Sequence, residues 1–178
     1  MSAARKPVIV RYLTRDWCAG YVSAQLGGEI SDLELLDGAG KLRHIPWSQI
    51  KWVCYVREFP AEGSSGTFAS HGPERLLRRK FSTRPRAAGL WLSLTLADGE
   101  ELEGVAANDR SLIDGAGLSL TPPDTRSNTQ RVFIPRSAIR DLTVLGVISP
   151  PSASRLKTGP QPQLFDISSF DREQPSQD

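Results

Sequence analysis

Two histidines and two cysteines in 178 residues leave little from which to build a metal centre or a nucleophile–base pair. Cys18 and Cys54 have no metal-ligand spacing and are too few for a disulfide framework, so a reducing compartment suits both. His44 precedes an Ile-Pro pair, His71 lies in a Gly/Ser stretch, and neither has a facing carboxylate pair. The expectation is a non-enzymatic chain that needs no cofactor. A net charge of +2 excludes a global field for nucleic acid or membrane. No apolar run reaches the length of a bilayer span, and Met1–Lys6 leads only into a short strand interrupted by Arg11, unlike a secretory leader. A cytoplasmic protein that does not meet a membrane is expected.

What the chain does have is a near-repetition. Residues 8–22 (VIVRYLTRDWCAGYV) lie over residues 92–106 (LSLTLADGEELEGVA) without a gap, and IPWSQIKWVCYV from Ile45 lies over IPRSAIRDLTVL from Ile134. Leu92, Leu94 and Leu96 alternate with Ser93, Thr95 and Ala97, the period of a half-buried strand. Ala97–Glu100 reads as a hairpin turn in which Gly99 takes a positive φ at little cost. Gly20 and Gly104 occupy matching positions inside the return strands, where a recurring glycine marks a bend or a close backbone approach.

A third strand follows at Leu33–Leu36 and Leu118–Leu120, then a hairpin that is short at Asp37–Gly40 and long and polar at Pro122–Gln130. Ile-Pro-x-Ser-x-Ile, at Ile45–Ile50 and Ile134–Ile139, predicts a single 3₁₀ turn before a closing strand. The pattern therefore predicts an all-β protein of two tandem five-stranded barrels of the SH3-like or Sm-like type, packed together. Their ranges are 6–59 and 89–148, joined by a linker, 60–88, with a short basic helix over Pro73–Phe81, and followed by a disordered tail, 149–178.

Four groups are candidates for function. Trp17, Trp47, Trp52 and Trp91 align with Glu101, Arg136, Asp141 and Pro7 in the other unit. A position that holds a charge in one copy should not be deep core in the other, so the rings are expected on barrel exteriors. There they are either filling between packed units or subunits, or a platform for a partner. The closing strands, Trp52–Val56 and Leu142–Ile148, are apolar on both faces and should be buried between units or against another chain. The basic arm of Arg75, Arg78, Arg79, Lys80, Arg84 and Arg86 has only Glu74 nearby in sequence, and guanidinium groups at that density suit phosphate or an acidic partner. A solvated linker explains the same run. The polar loops Asn108–Ser111 and Arg126–Arg131 suit a ligand or simple turn chemistry equally well.

Two family resemblances attach to these residues. The run Lys51–Phe59, the DGE-x-LEG sequence at Asp98–Gly104, and the stretch Pro123-Asp124 with Asn128–Phe133 resemble a bacterial family of unknown function built of paired repeats. That resemblance covers about residues 6–148 and implies the Sm-like or SH3-like fold, without an activity. Trp17 departs from it, standing where the family has a polar hairpin residue. A second resemblance is to PilZ, the cyclic di-GMP receptor barrel, through the arginine arm and Asp109-Arg110-Ser111, although Asp114 stands where that motif has glycine. It implies an anion site formed by the arm with Asp109 and Ser111. The leading expectation is an adaptor or regulatory module that binds a protein partner or itself. The alternative is a module that binds a cyclic dinucleotide, as in PilZ, or RNA, as in Sm-like proteins.

Overall fold

Alternating apolar residues produce strands where the two halves of the sequence match. In the computed structural model, which describes residues 5–23, 26, 32–59, 78–124 and 126–149, β1 (Arg5–Tyr12) and β6 (Gly89–Leu96) are eight residues each. Along β6 Leu90, Leu92, Leu94 and Leu96 are buried and the residues between them half-buried. Each strand turns back through a tight hairpin. The Leu96 N–H donates to the Glu100 carbonyl (2.8 Å) around Gly99 at φ +83°, and the Tyr12 N–H donates to the Asp16 carbonyl (2.9 Å) around Arg15 at φ +74°. Arg15 thus holds the left-handed conformation that glycine holds in the other hairpin.

The return strands β2 (Trp17–Ser23) and β7 (Glu101–Ala106) carry Gly20 and Gly104. A Cβ on Gly104 would lie 2.9 Å from the Leu120 Cβ, and one on Gly20 would lie 2.5 Å from the Leu36 carbonyl oxygen. Both glycines let the following strand, β8 (Gly117–Thr121) or β3 (Asp32–Leu36), cross closely. The ladders there are short, Tyr21 with Leu36 and Val105–Ala106 with Thr121–Leu120, so the sheet turns a corner at each glycine. β4 (Leu42–Pro46) and β9 (Thr129–Pro135) then lead into 3₁₀ turns at Trp47–Gln49 and Arg136–Ala138. The prolines before them have φ −58°, ψ 134° and φ −58°, ψ 144°. The chain re-enters the sheet as β5 (Ile50–Val56) and β10 (Ile139–Ile148).

All ten strands belong to one antiparallel sheet, in the order β10-β6-β7-β8-β9-β5-β1-β2-β3-β4. The sheet does not close, and the structure is one continuous all-β sheet. Each half contributes the same order, with the fifth strand beside the first and the fourth at the far end. The halves join where β5 pairs with β9: Val53 lies opposite Phe133, Cys54 opposite Val132 and Tyr55 opposite Arg131. Two cores follow. Val8, Val10, Leu33, Leu35, Ile45, Ile50, Val53 and Phe133 form one. The leucines of β6 with Leu102, Leu118, Leu120, Val132 and Ile134 form the other, and Ile9, Trp52, Cys54 and Val56 reach into it from the first half. β1 and β5 are therefore buried on both faces, which is why Trp52–Val56 carries no polar face.

Two expectations need correction here. Residues 78–81 are extended and bent, not helical, because the backbone of this segment bonds to a neighbouring strand: the Glu103 N–H donates to the Arg79 carbonyl (2.7 Å). The rest of the expected helix and linker, residues 60–77, lies outside the described residues, as do 150–178 of the expected disordered tail. The second correction concerns β10, for which burial between the units does not hold. It matches β5 in sequence, yet Val144, Leu145 and Val147 are 53%, 43% and 56% exposed. β5 has β9 against it, whereas β10 ends the sheet.

Candidate interaction surfaces

The segments that carry the resemblance to a paired-repeat family meet at the junction of the two halves. Lys51, 5% exposed, is the second residue of β5 and turns its ammonium to the hairpin of the second half. There it pairs with Asp98 and, at 2.6 Å, with Glu100, and it lies 4.6 Å from the centre of the Trp52 ring. Burial raises the Asp98 carboxyl, but the Lys51 hydrogen bond and the Glu100 backbone N–H outweigh it and hold the group below its ordinary 3.8. At the other end of β5, Asn128 accepts from the backbone N–H groups of Arg57 (3.2 Å) and Glu58 (3.1 Å) and donates to the Glu58 carbonyl (2.9 Å). Both sets of contacts tie the halves together. They are architecture, with no reacting group among them.

The basic arm is laid along the second half. Arg79 pairs with Glu100 (2.8 Å) and Lys80 with Glu101 (2.6 Å), and the Arg84 guanidinium donates to the Val147 carbonyl (3.0 Å). The Glu103 carboxylate accepts from the Phe81 backbone N–H and the Trp91 indole N–H, both at 3.1 Å, and the two rings meet edge to face at 6.1 Å. Arg78 and Arg86 remain exposed, and Arg75 lies outside the described residues. Asp109 caps its own 3₁₀ turn by accepting from the Ser111 N–H (2.9 Å), while Arg110 pairs with Asp114 (2.7 Å). No hydrogen bond or ion pair joins Asp109 or Ser111 to the arm among the described residues. The loop at 126–131 is likewise spent on turns and on the Asn128 clamp, with Ser127 donating to the Asp124 carbonyl (2.7 Å).

The tryptophans divide. Trp17 is 45% exposed on β2 and keeps an open face. Trp47 packs against Phe133 of the other half, ring centres 5.2 Å apart, and Trp91 is covered by the arm. Trp52, expected on a barrel exterior as filling between units or as a platform, is 3% exposed where it reaches into the second core, and its indole N–H has no hydrogen-bond partner among the described residues. The charge aligned with it, Asp141, sits on the open strand, where no second half covers the position.

Two further surfaces are present, and the first was not evident in the sequence. A cleft of about 280 Å³ at the junction is lined by Lys6, Tyr55, Gln130 and Arg131 among others. Burial pushes the Tyr55 phenol up to about 12 against the opposing pull of Arg131, so it stays a neutral hydrogen-bonding group. The pairing of β5 with β9 brings these residues together, and no local sequence pattern announces that pairing. The second surface is the pair of open sheet edges, β4 at one end and β10 at the other. Leu42 is 43% exposed on β4, and β10 adds its three exposed apolar residues.

Among the described residues no cluster of histidine, cysteine and carboxylate groups suits a metal ion, and no helix is long and apolar enough to cross a membrane. A family model described only as a family of unknown function matches residues 4–146, while no curated protein and no solved structure matches the chain.

Proposed function

Starting from a chain that belongs to DUF6982, a family of unknown function, we propose that this protein is a non-enzymatic adaptor or regulatory module that works by protein–protein interaction. The observation that carries the reading is β10: a ten-residue edge strand with Val144, Leu145 and Val147 exposed. Unpaired backbone groups and apolar side chains on one strand form a template for another chain, and soluble proteins usually blunt such edges. Two bulges, at Ile139/Asp141 and Val144/Gly146, bend this strand without removing the apolar side chains.

The alternative is an anion, a cyclic dinucleotide or RNA, on the basic arm. It is the weaker proposal, because Arg79 and Lys80 already hold Glu100 and Glu101. A titration with cyclic di-GMP and short RNAs at low salt separates it from the leading reading, which expects no response from either.

The leading reading is tested by placing a photoreactive phenylalanine analogue at Val147, with Ile113, more exposed still but on a polar loop, as control. Irradiation in the producing cell should give a defined adduct at Val147 and none at Ile113. Equal or absent adducts at the two positions would remove the proposal.

A further inference from the structure

The two open edges complement each other, and we infer that β10 of one chain pairs antiparallel with β4 of a second copy, head to tail. The inference rests on the interaction reading above and names its partner. The template is inside the molecule, where β5 of the first half pairs with β9 of the second. Each half has the same strand order, and the Ile-Pro-x-Ser-x-Ile segments fix which residues correspond. β10 is the counterpart of β5, and β4 is the counterpart of β9. Among the described residues the internal junction thus uses one of each and leaves one of each unpaired at opposite ends of the sheet.

The register of the internal junction can be carried over. Val53 opposite Phe133, Cys54 opposite Val132 and Tyr55 opposite Arg131 become Leu142 opposite His44, Thr143 opposite Arg43 and Val144 opposite Leu42. The last pair brings together the exposed apolar residues of the two edges. Asp141 falls diagonal to Arg43 on the same face, within reach of an opposite charge.

A second correspondence comes from outside the ladder. Lys51 reaches Asp98 and Glu100 in the hairpin of the half it joins. The matching residues are Arg140 on β10 and Thr14 and Asp16 in the first hairpin, so a second copy would offer Asp16 to Arg140. Among the described residues the exposed Asp16 carboxylate accepts a hydrogen bond from Thr14 and has no cationic partner, and Arg140 is exposed with no carboxylate partner. The charges are of the sign that the internal junction uses, in the places it uses them.

A head-to-tail contact of this kind is heterologous: every chain offers both halves of it, and copies add until a ring closes or a chain extends. The test is light-scattering mass on the full chain over a concentration series, with Leu42→Lys and Val144→Lys as edge-blocking variants. Both positions are exposed, so each variant should keep the native circular dichroism. The wild type should exceed its 19.5 kDa monomer mass as concentration rises, and each variant alone should remain a monomer. An equimolar mixture of the two variants should give a dimer and nothing larger, because one chain still offers an intact β10 and the other an intact β4. Swapping the charges, Asp16→Arg with Arg140→Asp, should restore the association that either single change weakens.

A wild type that stays monomeric throughout, or variants that fail to pair when mixed, would overturn the inference. A monomeric wild type that still cross-links a different protein at Val147 would overturn self-pairing and leave the adaptor reading standing. Absence of both results would remove the two together.

Discussion

The buried ion cluster at the junction predicts an asymmetry between removing its cation and removing its anions. Lys51 is 5% exposed, and its ammonium is paired with both Asp98 and Glu100. The double change Asp98→Asn with Glu100→Gln leaves that cation buried over the Trp52 ring without a carboxylate, and stripping one side of a buried pair costs about 3–5 kcal/mol. The converse change, Lys51→Met, keeps the side-chain volume and leaves two carboxylates whose side chains are 26% and 34% exposed. Water reaches them and Arg79 still pairs with Glu100, so the cost falls to about 1 kcal/mol, the scale of a surface pair. Urea unfolding followed by tryptophan fluorescence measures both. The pH dependence supplies a second reading. Asp98 is held below 3.8 in the folded state, so its contribution is present above that pH and is lost as pH falls through the lower folded value. Lys51→Met should therefore lose part of the acid sensitivity that the wild type shows below about pH 4. Equal costs for the two changes, or a larger cost for Lys51→Met, would refute the reasoning.

Three further outcomes follow from the same structure. Trp52→Phe should cost far less than Trp52→Ala, because phenylalanine removes an indole N–H that has no acceptor among the described residues, whereas alanine opens a cavity worth about 3–5 kcal/mol; denaturant unfolding of the pair measures the difference. Tyr12 is raised to about 12 by burial and by its hydrogen bond to Cys18, and Tyr55 to about 12 by burial. Both folded values exceed the ordinary 10, so this stabilisation is intact below pH 10 and fades as pH rises towards 12, and ultraviolet titration of Tyr12→Phe and Tyr55→Phe should each lose one late-ionising phenol. Gly104→Val should destabilise by about 3 kcal/mol or more, since even a Cβ meets Leu120 at 2.9 Å. Thermal unfolding unchanged from the wild type would contradict the close crossing of β7 and β8.

Local chemistry was legible in this sequence wherever its cause is local. The alternation of Leu92, Leu94 and Leu96, the turn at Gly99 and the proline-led 3₁₀ turns each depend on a few neighbouring residues, and each lies where the pattern put it. Pairing between the halves has no such local cause. Comparing copies placed Trp52 outside because Asp141 occupies the matching position, and the comparison assumed equal surroundings for equal positions. One sheet containing both halves breaks that assumption at its ends, where β10 lacks the neighbour that β5 has. The same reason concealed the partners of the arm. Glu100, Glu101 and Glu103 lie some twenty residues after it in the chain and beside it only once β7 has folded back along β6.

The contrast between the internal junction and its open counterpart bears on what the protein does. Interfaces that never separate resemble a core cut in two, while those that form and release are more polar. β5 presents Trp52, Cys54 and Val56 to the second core. In the same places β10 presents Asp141, Thr143 and Leu145. The head-to-tail contact is therefore built to open, held by charge pairs and a single apolar match. Asp141→Trp would make the outer edge imitate the inner one. Its expected result is a larger assembled fraction at equal concentration and weaker dependence on salt, read by light scattering across a salt series. A shift towards monomer would mean that the outer edge does not follow the inner register, and with it the correspondence of β10 to β5 as a pairing strand would fail.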